Sequence, residues 1–301
     1  ILVGGEPDVT EAAQKTWLFD GLSLAYDSYG NKLAEIHYKG GALNGCATYY
    51  HDNGAVWKTI PYEEGKIHGT LSVYLANGNL LQKTEYVQNE MNGLSVRYWT
   101  DTQLASKEEF NKGKLINGSY FDTDGTLITE VKDGVGKRTL FGKTTVAEIT
   151  EIKGGLPEGK VEKYDTNGAL VSTHYLKNGI KNGEERFFYP GLPLRIKLSV
   201  NWNEGKLRGL VRTWYTNGQL ETQKEYSDNI LNGLSSAWYS DGLLMYLEEY
   251  EKDKLVKGEY YRRGDKAPMT EVRQGEGIAT LFDADGHFLR KINYRNGKPN
   301  L

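Results

Sequence analysis

Cysteine occurs once in this 301-residue chain, at Cys46. An internal disulfide and a thiolate metal cluster are therefore both excluded. Proline is scarce, with 7 residues, and no apolar run approaches the roughly 20 residues that a membrane-spanning helix needs. An excess of charge of one sign is also missing. The 37 Lys and Arg against 40 Asp and Glu leave a net charge of −3. That provides no basic field for nucleic acid or anionic lipid, nor the acidic surplus that keeps a chain unfolded. The chain opens on Ile1 with no apolar signal core, which sets the expectation of a processed N-terminus and of an exported or cell-envelope protein.

What the chain has instead is glycine, 36 residues, and tyrosine, 21. This is the mixture expected of many short strands joined by tight turns. The aromatics recur. Tyr26, Tyr50, Tyr74 and Tyr98 are spaced evenly, and a second column at Tyr38, Tyr62, Tyr86 and Phe110 keeps the same step. Between the columns lie Asn53-Gly54, Asn77-Gly78, Asn167-Gly168 and Asn217-Gly218, with Asp124-Gly125, Asp241-Gly242 and Asp285-Gly286 as variants. Such pairs tolerate the positive φ of two-residue hairpin turns. A looser glycine-containing turn follows each second column, as in EEGKIHG at 63–69. The first column continues through Phe141, Tyr164, Phe188, Trp214, Trp238 and Phe282, and the second through Tyr175, Trp202, Tyr226, Tyr250 and Tyr294.

About twelve hairpin units follow from this count. Two are short, Gly118 to Gly136 and Gly258 to Gly277, and their surroundings match, Leu115 with Leu255 and Phe141 with Phe282. The chain therefore reads as a tandem duplication. Residues 1–20 form a tether or edge segment, 21–158 a first six-hairpin array and 159–301 a second one, continuous with the first. A lone hairpin is marginal in water, so each unit must stack on its neighbours. The fold expected is all-β, an elongated, twisted antiparallel sheet of tandem hairpins.

The pattern GxxxxYYxNGxLxxxxxYxxGKxxG resembles the bacterial variant of the MORN repeat, including proteins labelled as antitoxin components. The resemblance covers residues 21–301. It implies a repeat scaffold for protein interaction or self-association. In some eukaryotic members it implies lipid binding, but this chain lacks regular YxGxW strands and a basic surface.

Catalytic groupings are not expected. The histidines, His37, His51, His68, His174 and His287, are scattered, and His37 and His174 hold nearly equivalent positions before Tyr38 and Tyr175. Neighbours on a strand point to opposite faces, so Glu63-Glu64, Glu108-Glu109, Glu184-Glu185 and Glu248-Glu249 read as solvated carboxylates. GKRTLFGKTT at 136–145 has the wrong spacing for a phosphate loop. Asn117-Gly118 reads as another turn, and Cys46 as a partly buried thiol. No cofactor, metal or enzymatic activity is expected.

One residue after first-column aromatics stand Trp99, Tyr189, Tyr215 and Tyr239, a candidate aromatic strip for a partner. The leading expectation is a non-catalytic scaffold with a protein partner or a second copy of itself. A glycan or cell-wall ligand on this strip is the alternative, and the family label adds a neutralised toxin. Nucleic acid and membrane lipid are not expected.

Overall fold

The computed structural model describes residues 18–100 and 102–300, so most of the 1–20 segment lies outside the described residues. Strands occupy the chain throughout and no helix occurs among the described residues. Two compact units are present: residues up to Thr144 with Glu151–Leu156, and Thr145–Thr150 with Pro157 onward. In each, successive strands pair antiparallel, making an all-β sheet of tandem hairpins.

The two kinds of turn exchange the roles expected of them. The tight two-residue turns are the ones that looked loose. Both central residues have positive φ at twelve sites among the described residues, for example Glu64 at 49° with Gly65 at 79°, and Gln88 at 51° with Asn89 at 72°. The flanking residues pair directly, Glu63 with Lys66 and Val87 with Glu90. These are type I′ geometries, whose twist suits a hairpin.

At the Asn-Gly turns only the glycine is left-handed, Gly54 at 79° and Gly78 at 87°. Gly54 N–H donates to His51 O, and His51 N–H to Ala55 O, each at 2.8 Å. A type I turn thus ends in a glycine bulge, and the strand register shifts at Tyr49/Tyr50. Asn53 serves through its side chain: Oδ1 accepts from Ala55 N–H at 3.1 Å, and Nδ2 donates to Ala76 O of the following hairpin at 2.8 Å. Asn117-Gly118 is no turn at all; it lies within the strand Lys114–Phe121.

Counting from the turns fixes which residues face the interior. In the first unit one residue per strand pairs across the sheet in a single row: Ala47 with Ile60, then Leu71 with Thr84, Ser95 and Glu108, and then Gly118, Val131 and Gly136. In the second unit the row runs Val161 and His174, then Glu185, Val200, Val211, Lys224, Ser235, Glu248, Gly258, Val272 and Gly277. Most row members are buried, polar ones included. The second aromatic column flanks the row, Tyr62 opposite Gly45 and Tyr86 opposite Gly69. One position departs from expectation. Leu176, not Tyr175, pairs with Gly159, so His174 falls in the buried row while His37 is exposed.

The two short units are corners. Leu115 N–H donates to Gly155 O at 3.0 Å, Gly155 N–H to Gly134 O at 2.9 Å, and Gly134 N–H to Ile116 O at 2.8 Å. Around this ring Phe110, Leu115, Tyr120, Val131 and Ile152 form a core. The second unit repeats it: Leu255 N–H to Gly297 O, Gly297 N–H to Gly275 O and Gly275 N–H to Val256 O, each at 3.0 Å, around Leu255, Tyr260, Val272 and Ala279. Glycine is required where the tyrosine folds back. A Cβ on Gly118 would lie 2.6 Å from Tyr120 Oη, and one on Gly258 2.7 Å from Tyr260 Oη.

Gly118→Ala is therefore expected to cost about 3 kcal/mol, from overpacking and from displacing the buried hydroxyl from its acceptor. Gly54→Asn, at an open turn with no atom within 4 Å of its Cβ, is expected to cost under about 1 kcal/mol because asparagine tolerates left-handed backbone. Urea denaturation of the two variants checks both values.

Candidate functional site

The aromatic strip has a use inside the fold. Trp99 Nε1–H donates to Phe121 O at 3.0 Å, Tyr189 Oη–H to Trp214 O at 2.6 Å, Tyr215 Oη–H to Trp238 O at 2.8 Å and Tyr239 Oη–H to Tyr261 O at 2.7 Å. His51 makes the same reach, its Nε2 lying 3.0 Å from Tyr74 O. Each side chain leaves the start of one wide turn and bonds a backbone carbonyl of the next hairpin, that of first-column Tyr74, Trp214 and Trp238 for His51, Tyr189 and Tyr215. Trp99 also stacks edge-on against Phe141, with 4.7 Å between centroids. Tyr239 is fully buried, in contact with Phe282, and the other three are half-buried. These four residues are rungs of an inter-hairpin ladder, not an open strip of ring faces.

Burial sets the titration of two of them. It is the largest cause for both Tyr215 and Tyr239, with nearby carboxylates adding to it, and each phenol is pushed up to about 12. Raised folded-state values mean that the stability these groups lend is whole below the ordinary phenol value near 10 and is lost as pH rises through about 12.

The buried row holds chemistry that the sequence reading assigned to solvent. Glu63, Glu64, Glu109 and Glu249 are exposed as expected, but Glu108, Glu185 and Glu248 are buried. Glu108 accepts from Tyr120 Oη–H at 2.8 Å and from Arg138 Nε–H at 2.7 Å and Nη2–H at 3.2 Å. Glu185 accepts from Lys181 Nζ at 2.7 and 2.8 Å and from Trp202 Nε1–H at 2.8 Å, with Lys181 also 5.1 Å from the Trp202 ring centroid. His174 lies beside this cluster. Burial, then the Lys181 charge, hold its imidazole below the usual value, and its Nδ1 has no hydrogen-bond partner among the described residues. The signal was available. Many row members fall six residues after a wide-turn glycine or two after a strand glycine, so Gly168 leads to His174, Gly183 to Glu185 and Gly242 to Glu248, while Glu108 has no such glycine before it.

Glu108 and Glu185 are thus each engaged by hydroxyl, indole or cation neighbours. Asp283, Asp285 and His287 bring ligand atoms within 4.8 Å of one another, yet Asp283 Oδ1 is the acceptor for the Asp285 and His287 N–H groups of its own turn. Cys46 is exposed rather than partly buried. A hollow of about 380 Å³ is lined by Glu249, Lys257, Gly258, Glu259, Glu271 and Arg273, where Lys257 pairs with Glu259 and Arg273 with Glu271.

Residues 43–64, 67–88 and 204–228 match the MORN repeat variant. No curated protein sequence matches the chain. Among solved structures, the chain is similar over 90% of its length to 17% of a chain in the crystal structure of TcdB2-TccC3-Cdc42, at 11% identity and a TM-score of 0.18. It is similar over 93% of its length to 15% of a chain in a Photorhabdus luminescens Tc holotoxin pore carrying a TccC3 mutation, at 12% identity and a TM-score of 0.17. The chain spans under a fifth of the length of these proteins.

Tyr215→Phe is expected to lose about 1 kcal/mol of stability, since it leaves the Trp238 carbonyl without its donor. In the wild type, absorbance at the tyrosinate band is expected to show a set of phenols that titrate only above about pH 11 and together with loss of β-sheet signal. Alkaline titration followed in parallel by circular dichroism checks this.

Proposed function

We propose that this protein is a non-catalytic scaffold that docks a protein partner on the outer faces of its sheet units, opposite the buried row. One observation supports the reading above others: the same apolar and acidic spot stands on both units. Leu94 is 43% exposed, pairs with Glu109, and its N–H donates to Glu85 Oε2 at 2.9 Å. Leu234 is 50% exposed, pairs with Glu249, and follows Gly233, against which the Glu225 carboxylate lies.

Both leucines sit where a strand glycine widens the sheet, and both are bracketed by carboxylates. Such a spot suits a segment that offers an apolar side chain between cations, with the leucine giving contact area and the glutamates giving orientation and approach rate. MORN-type repeats serve as interaction modules, and distributing two spots over two units lets weak contacts add through linkage. A second copy of this chain belongs to the same class of partner.

Coupling of carboxylates to amines in the native host, followed by peptide mapping, is expected to join Glu109 and Glu249 to lysines of one protein. Leu94→Asp with Leu234→Asp is expected to weaken that complex at least about tenfold while leaving the circular dichroism spectrum unchanged. Equal binding by the double variant, or carboxylates that join to no protein, refutes the reading.

A further inference from the structure

The two corners share a shape and differ in charge. In the first, Glu108 is 5% exposed, and Arg138, two residues after Gly136, clamps it with two N–H donors beside the Tyr120 hydroxyl. In the second, Glu248 is 8% exposed. Tyr260 Oη–H donates to its Oε1 at 2.7 Å and Ser235 Oγ–H to its Oε2 at 3.2 Å. Two residues after Gly277, where the first corner has its arginine, stands Ala279, 1% exposed.

The groups facing Glu248 come from every neighbouring strand. Ser235 lies on one side and Tyr260 on the other, Tyr246 and Tyr250 are on its own strand, and Tyr294, itself influenced by Arg290, reaches in from the strand Phe288–Arg295. Lys224 is the cation that acts on it, from two strands away along the row. Among the described residues no ion pair reaches Glu248. A carboxylate buried without an ion-pair partner loses the hydration of its charge, which favours the protonated form, while hydroxyl donors favour the anion. Burial is the largest influence here and pushes the Glu248 carboxyl above its ordinary value, against the hydroxyl donors.

We propose that Glu248 is a proton-operated latch on the second unit: as a neutral acid it closes the corner, accepting from Tyr260 Oη–H on one oxygen and donating its own proton to Ser235 Oγ from the other, and as an anion without a guanidinium partner it loosens that corner. The first unit is the built-in control, because Arg138 gives Glu108 a permanent countercharge. The direction follows from linkage. A carboxyl whose folded-state value is raised lends stability that is whole below the ordinary carboxyl value and is lost as pH rises through the folded-state value. The outer face at the second corner, which includes Lys257 and Glu249, would thus become more mobile on moving from acidic to mildly alkaline surroundings.

Amide hydrogen exchange on the full chain, corrected for the intrinsic effect of pH, tests this by comparing peptides from Ile230–Trp238, Leu244–Glu251 and Lys254–Tyr260 with those from Glu90–Tyr98, Leu104–Asn111 and Lys114–Phe121. Protection in the first set is expected to fall about tenfold or more between pH 5 and pH 8, and protection in the second set to hold within about twofold, each pH unit of differential proton affinity being worth a factor of ten. Glu248→Gln, which keeps the shape and cannot ionise, is expected to hold the low-pH protection at both values. A similar pH response in both sets, or a response that persists in Glu248→Gln, overturns the latch.

Discussion

A two-stranded ribbon in water has no second layer to bury its side chains against, and every hairpin here meets that constraint by bonding to the hairpin before it. At one end, the second residue of most tight turns donates its N–H to the preceding hairpin, Gly65 to Leu43 O, Asn89 to Ile67 O, Gly113 to Met91 O. Side chains double the stitch: Asn89 Oδ1 accepts from Ile67 N–H and Asn229 Oδ1 from Leu207 N–H. At the other end the stitch is made by Asn53, Asn217 and the Trp99 and Tyr215 ladder. Between the two seams runs the buried row. Twist then comes from the type I′ turns, and bends from the glycine bulges.

This arrangement explains a buried row that is unusually polar. Thr84 and Ser95 share a hydrogen bond at 2.9 Å, and Glu108 and Glu185 hold cations. A thin sheet lacks the apolar volume of a sandwich, so its interior is closed by groups that can satisfy one another. Removing one partner from such a set costs more than the set contributes, because the remaining charge stays buried. The duplicated corners show two solutions of unequal cost. One carries acid, phenol and guanidinium; the other carries acid, phenol and hydroxyl.

Much of this is legible in the residues, and the remainder has identifiable causes. Periodicity gives the hairpins, their number and the two short units, because aromatic spacing reports strand pairing directly. Which turn is tight is hidden. Asn-Gly is compatible with both a type I′ turn and a type I turn with a bulge, and the choice depends on whether the asparagine is needed to bond the next hairpin. The burial of Glu185 and Glu248 is legible by counting from Gly183 and Gly242, whereas the turn before Glu108 carries Thr102 where the other wide turns carry glycine, so no glycine marks Glu108 as an inner residue. Tyr175 misled because an aromatic stood one place from the position that Leu176 fills. Trp99, Tyr189, Tyr215 and Tyr239 have the look of a binding strip because a ladder residue must be long, flat and polar at its tip, which is also what an exposed recognition residue must be.

Strand register is what places the buried groups, and with it the division between an inner row and an outer face. Inter-strand nuclear Overhauser contacts read that register at its most contested position. The account predicts contacts from Leu176 to Gly159 and from His174 to Val161, with Tyr175 opposite Lys160. Contacts from Tyr175 to Gly159 would put His174 on the outer face and contradict the row.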